Sequence, residues 1–136
     1  NKRIRRVLSR DVSYKILNTL QEVVNYGTAQ SINLDNYNIA GKTGTAQKFK
    51  NGHLNNYIAT FASIFPSDNP EFVMIVSIDE PAYGKHWSNL SAVPSSREII
   101  KYSWLGLTSV IVSHLNLTLP VPTLSVSLIS LFISKL

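Results

Sequence analysis

Ala40-Gly41-Lys42-Thr43-Gly44-Thr45-Ala46-Gln47 is the segment of this 136-residue chain that most constrains its architecture. It holds few helix formers and places Thr43 and Thr45 on either side of Gly44, so Tyr37 to Lys48 reads as a β-strand. Next, Lys50-Asn51-Gly52-His53 carries the Asn-Gly pair that favours a tight hairpin turn, and Tyr57 to Phe65 supplies a returning apolar strand that ends at Pro66. Ser67-Asp68-Asn69-Pro70 is a second turn. Phe72 to Ile78 is then a third strand, bulky and β-branched enough to be buried on both faces. Three strands joined by short links predict an antiparallel meander.

Working outward on the N-terminal side, Val12, Ile16, Leu20, Val23 and Val24 recur at three- and four-residue spacing between Ser9 and Tyr26. That period places them on one face of a helix. Ser9 suits the N-cap and Asp11 the first turn, while Gly27 is expected to close the helix in the left-handed conformation. Thr28 to Asn36 is a polar link. On the far side, Ser95 to Tyr102 reads as a short helix packing back on the sheet through Ile99 and Ile100. The predicted class is α+β: a helix, a three-strand antiparallel meander and a covering C-terminal helix.

The chain of 136 residues opens at Asn1 and runs straight into Lys2-Arg3-Ile4-Arg5-Arg6, which reads as a piece of something longer. With 44% apolar and 15% charged residues it has the composition of a packed globular domain. The net charge of +5 is concentrated in that basic start, and no aromatic residues interleave it as a nucleic-acid stacking platform requires. Nucleic acid is therefore not an expected partner. There is no cysteine, which excludes disulfide and thiolate chemistry and leaves the cytosol and the periplasm both open. His53, His86 and His114 lack ligand spacing, so neither a metal nor another cofactor is expected.

Composition changes near residue 103. Between Tyr102 and Ser134 there is no Asp, Glu, Lys or Arg, yet Pro120 and Pro122 divide the run and His114 and Asn116 interrupt it. A membrane span needs about 20 apolar residues without such breaks. Residues 1–103 are read as one domain and 104–136 as a divergent apolar tail, consistent with an ending translated out of the ancestral frame.

Acyl transfer from a peptide carbonyl needs a nucleophile, a group that moves protons, and donors aimed at the oxygen that becomes negative. Lys42 supplies a positive charge that eases deprotonation of a neighbouring hydroxyl and attracts a carboxylate. Thr43 and Thr45, two apart on a strand, offer hydroxyl donors on one face. Gly44 between them projects no side chain, so a peptide-like ligand can lie against the strand and pair with its backbone. By itself a Lys-Thr-Gly triplet is equally a surface strand with a turn-like glycine.

The longer string carries more. Tyr37-Asn38-Ile39-Ala40-Gly41-Lys42-Thr43-Gly44-Thr45-Ala46-Gln47-Lys48, with Tyr57-Ile58-Ala59-Thr60-Phe61, Pro66-Ser67-Asp68-Asn69-Pro70 and Ile78-Asp79-Glu80-Pro81, resembles the end of class B penicillin-binding proteins. The resemblance runs from about Val7 to Pro81 and more faintly to Tyr102. It implies the C-terminal part of a penicillin-binding transpeptidase fold shared with serine β-lactamases. It further implies a periplasmic D,D-transpeptidase domain, anchored in the bacterial inner membrane by an upstream helix, that crosslinks D-Ala-D-Ala stem peptides of peptidoglycan and is acylated by β-lactams. On that basis Lys42 assists proton transfer, Thr43, Gly44 and Thr45 bind substrate, with Thr43 holding the substrate's carboxylate, and the Thr45 backbone N–H is half of the oxyanion hole.

The departures limit that reading. No Ser here is followed three residues later by Lys, so the family's Ser-x-x-Lys nucleophile motif is absent from these 136 residues. Ser31-Ile32-Asn33 matches the family's Ser-x-Asn motif by letter, but it follows the helix that motif should precede and is assigned to the link. After Pro81 the family tends to a Gly-rich turn, where this chain has His86-Trp87-Ser88-Asn89-Leu90-Ser91-Ala92-Val93-Pro94. Asp79 and Glu80, adjacent at a strand exit, should face opposite ways and are not read as an acid-base pair. The alternatives are a β-lactamase or D,D-carboxypeptidase fragment, or a non-catalytic remnant or membrane-associated module. In each enzyme reading the missing N-terminal part of the domain is a required partner.

Overall fold

The structure, a computed structural model, describes residues 5–35, 37–102 and 124–127. In chain order it contains α1 (Arg10–Tyr26), β1 (Ala40–Lys50), β2 (His53–Phe65), β3 (Phe72–Asp79), α2 (Ala92–Tyr102) and β4 (Leu124–Ser127), with single 3-10 turns at Gln30–Ile32 and Ser88–Leu90. The sheet order is β1-β2-β3-β4, antiparallel throughout. The α+β class and the three-strand meander are as the sequence predicts. The tail adds a fourth strand, with Val126 opposite Val76, that satisfies backbone groups on the outer edge of β3. The rest of the tail, and with it the readings of an out-of-frame ending and of no membrane span, lies outside the described residues.

Asn51 and Gly52 form the hairpin between β1 and β2 with φ of 53° and 80°, the doubly positive pair that an Asn-Gly turn allows. Beyond it the pairing slips between Lys48 and Phe49, from Lys48 opposite Asn56 to Phe49 opposite Leu54. One residue, Asn55, is thereby bulged out of β2.

Ser9 caps α1, its hydroxyl accepting from the Val12 N–H at 3.3 Å. Gly27 ends the helix differently from the expectation. Its φ is −106°, not left-handed, and its N–H donates to the Val23 carbonyl at 3.1 Å. Glycine is required there by space, because a Cβ would stand 2.8 Å from the Val23 oxygen. The apolar stripe of α1 is also covered only in part. Val24 is fully buried and Val23 packs on the core, but Val12 and Ile16 remain 42% and 43% exposed. With Lys15, Thr19 and Leu20 they line an open apolar groove on the flank of the helix.

The core forms on one face of the sheet. Ala59, Phe61 and Phe65 from β2 and Met74, Val76 and Ile78 from β3 meet Val24, Ile32, Ile39, Val93, Ile99 and Ile100 in one cluster. Ile99 and Ile100 are the two contacts predicted for α2. That helix begins earlier than predicted, with Pro94 in its first turn, where no intrahelical N–H bond is needed. β3 was expected to be buried on both faces. Instead Val73 and Ile75 alternate with the buried Met74 and Val76 and are only half-buried, as are Ile58, Ala62 and Ile64 on β2.

Candidate active site

Burial along β1 alternates, with Lys42, Gly44 and Ala46 exposed and Thr43 and Thr45 half-buried. Thr43 and Thr45 therefore share a face, as predicted, but it is the face opposite the Lys42 side chain. They stand across from Phe61 and Ala59, both buried. Gly41, at the start of the same motif, is buried against Phe61, whose ring would lie 2.5 Å from an added Cβ. Gly44 is the reverse case: an added Cβ meets nothing within 4 Å, so the space above the motif is open.

The Thr43 hydroxyl lies 2.8 Å from that of Thr28, in the link that follows α1. Within such a pair only one proton is used, so one O–H stays free to donate to a ligand. Thr28 was not predicted as a site residue, because no local pattern marks a link residue that comes into place through tertiary packing. The Thr45 hydroxyl is placed differently. It is 2.9 Å from the Ser88 hydroxyl, which also donates to the Gly44 carbonyl and accepts from the Thr60 N–H at 3.2 Å. Since Ser88 gives its single proton to a carbonyl, which can only accept, Thr45 must be the donor in the hydroxyl pair. The Ser88 N–H in turn reaches Thr45 Oγ1 at 3.4 Å. The Thr45 hydroxyl is thus engaged within the protein, and what Thr45 offers a ligand is its backbone.

The direction of that backbone follows from the same bonds. Ser88 joins the Gly44 carbonyl to the Thr60 N–H of β2, so the carbonyl faces β2. In a planar trans peptide the next N–H points the opposite way, and the Thr45 N–H is turned to the outer edge of β1. β1 is the terminal strand of the sheet among the described residues. Backbone groups alternate along a strand, so the Thr43 carbonyl lies on that edge too, and the Lys42 ammonium donates to it at 2.9 Å. The free edge therefore presents a cation and an N–H donor close together.

The C-terminal half of β1 carries a second charged contact. Lys48 Nζ reaches Asp79 Oδ1 and Glu80 Oε1, both at 2.8 Å. Hydrogen bonding to Asp79 first, then to Glu80, holds the Lys48 ammonium above its ordinary 10.5. The two carboxylates face the same cation because Glu80, with φ of 52°, turns the chain as it leaves β3. Past Glu80, the His86 ring stacks on Tyr57 at 4.5 Å and lies 4.8 Å from Trp87, which leads into Ser88. Ser31 and Asn33 are exposed on either side of the buried Ile32, in a 3-10 turn within the link between α1 and β1.

Residues 2–101 match the penicillin binding protein transpeptidase domain. The peptidoglycan D,D-transpeptidase FtsI homolog of Mesostigma viride is 39% identical over 99 residues, a match of 71% of this chain and 17% of that protein. Stage V sporulation protein D of Bacillus subtilis is 35% identical over 101 residues, covering 73% of this chain and 16% of that one. The solved transpeptidase domain of Burkholderia pseudomallei penicillin-binding protein 3 superposes with a TM-score of 0.67 at 30% identity, over 76% of this chain and 32% of that one. The chain thus spans about a sixth of the length of the curated relatives it matches. A Lys-Thr-Gly strand at the edge of an antiparallel sheet, with the helices before and after it inside the same match, places this chain in the family of penicillin-binding protein transpeptidase domains.

Proposed function

We propose that the chain supplies the substrate-binding edge of a peptidoglycan D,D-transpeptidase site whose attacking serine belongs to the remainder of the domain. In this reading a stem peptide ending in D-Ala-D-Ala lies along the outer edge of β1 as an added strand, and the open space at Gly44 leaves room for its side chains. The Thr45 N–H is half of the oxyanion hole, the free proton of the Thr28–Thr43 hydroxyl pair binds the terminal carboxylate, and Lys42 assists proton transfer and attracts that carboxylate. The serine oxygen bonds to the penultimate D-Ala carbonyl carbon, the bond to the terminal D-Ala nitrogen breaks, and that amine leaves with a proton. β-Lactams enter by the same route and stay bonded to the serine.

The observation that carries this reading is the outward Thr45 N–H beside Lys42 on a strand edge that is unpaired among the described residues. The half-buried sheet face of Ile58, Ile64, Val73 and Ile75 and the Val12–Ile16 groove suit the apolar contacts that the rest of a transpeptidase domain would make. Residues 1–103 are the transpeptidase portion and 104–136 a divergent tail. The working location is the periplasmic face of the bacterial inner membrane, reached through an anchor in the parent protein. Among the described residues no helix is long and apolar enough to cross a membrane.

Labelled penicillin tests the assignment. The chain alone is expected to form no covalent adduct. Co-expressed with a relative's upstream segment bearing Ser-x-x-Lys, it should yield labelled protein with the label on that segment. A stable adduct on a serine of this chain would overturn the division of roles.

A further inference from the structure

We propose that Ser88 is a positioning residue that fixes the Gly44–Thr45 peptide and so aims the Thr45 N–H at the substrate. The inference rests on reading β1 as the substrate-binding edge, and it goes beyond that reading by assigning a residue outside the motif. A glycine admits more backbone conformations than any other residue, so the peptide plane after Gly44 needs an external hold if its N–H is to keep one direction. Ser88 provides that hold from the opposite end of the same peptide, by donating to its carbonyl oxygen.

Three observations support the assignment. Ser88 is 2% exposed, so its bonds are not shared with bulk water. Its hydroxyl is saturated: one proton given to Gly44, and two lone pairs taken by the Thr60 N–H and the Thr45 hydroxyl. It therefore grips both strands and the motif side chain from one point. Ser88 also lies in the stretch where this sequence departs from the family's Gly-rich turn, and only a residue with a side chain can make this contact. The approach of the stretch is fixed by the His86 ring stacked on Tyr57 of β2.

A chemical consequence follows. A carbonyl that accepts a hydrogen bond polarises its own peptide, and its N–H becomes a better donor. Ser88 would thus both orient and strengthen the group proposed to face the developing oxyanion.

The test is an amide-resolved NMR titration of the full chain with N-acetyl-D-Ala-D-Ala, comparing the native chain with Ser88→Ala and Ser88→Thr. Native protein is expected to show saturable shifts at the Thr43 and Thr45 amides. Ser88→Ala should move the unliganded Thr45 amide, speed hydrogen exchange at Thr60, and weaken the peptide about tenfold, the equivalent of about 1.4 kcal/mol. Ser88→Thr, which keeps the hydroxyl, should restore most of the affinity, a rescue that a purely space-filling role would not require. If Ser88→Ala fails to fold, Ser88→Cys, which keeps the side chain's size but donates only weakly, takes its place, with loss of affinity expected in Cys and not in Thr. Equal peptide shifts and affinity in the native chain and the variants lacking the hydroxyl would overturn the role of Ser88 while leaving the edge assignment standing. No peptide response at β1 in the native chain would overturn both.

Discussion

Gly41 and Gly44 stand three residues apart on one strand in opposite surroundings. At Gly41 the space a side chain would occupy is filled by the Phe61 ring and the Ala62 carbonyl, whereas at Gly44 it is empty. The first glycine lets the sheet close on its core, and the second leaves the strand open for something to approach. One end of the motif is thus committed to packing, while the other is left open, as the proposed binding role requires. A single substitution type should separate them.

The largest effect is expected at the packed end. Gly41→Ala forces a Cβ to within 2.5 Å of the Phe61 ring, and overpacking of this kind costs about 2 kcal/mol even after the gain in unfolded-state entropy. A urea titration should show the midpoint fall with an unchanged slope. An unshifted midpoint would mean that Phe61 moves aside freely and that the packed end is not tight. Gly44→Ala should change stability by less than about 1 kcal/mol, because nothing surrounds the new methyl group. Binding of N-acetyl-D-Ala-D-Ala should nevertheless weaken, since that methyl group would crowd the side chains of a peptide paired along the adjoining edge. If both substitutions destabilise equally, the contrast between the two glycines fails.

The smallest effect belongs to the far end of β1. Lys48 carries a raised pKa, so its contribution to stability is complete below the unfolded value of 10.5 and is lost as pH rises through the higher folded value. The pair with Asp79 and Glu80 is substantially exposed, so salt and solvent keep the effect modest. Comparing alkaline denaturation of the native chain and Lys48→Met should reveal a small extra loss in the native chain above that unfolded value. Parallel curves would show that these charges contribute nothing.

Much of this arrangement is legible in the residues. Periodicity marks α1, Asn-Gly marks the hairpin, and the bulky run at Phe72 marks β3, because each depends on neighbours close in sequence. The partners of the motif are not legible in the same way. Ser88 meets Gly44 and Thr45 from more than forty residues away, and Thr28 meets Thr43 only when α1 has docked. The exposed flank of α1 escapes for a related reason: spacing shows which side of a helix is apolar, but not how much of that side finds a neighbour. Similarly, Leu124-Ser125-Val126-Ser127 is too short to stand out from a tail rich in leucine, serine and valine, and pairing with β3 gives it its structure.

In the proposed role, the edge of β1, unpaired among the described residues, has to admit one extended chain and refuse others. Open strand edges invite a second copy to pair with them, which leads to aggregates. Lys42 and Lys50 lie along this strand without a carboxylate partner among the described ion pairs, so two copies brought edge to edge would confront each other with like charges. A short peptide ending in a free carboxylate brings the opposite charge to the same place. In that role the lysines would act as a filter on length and sign: they would penalise self-association and favour a small anionic guest, so that the feature that makes the edge dangerous also makes it selective.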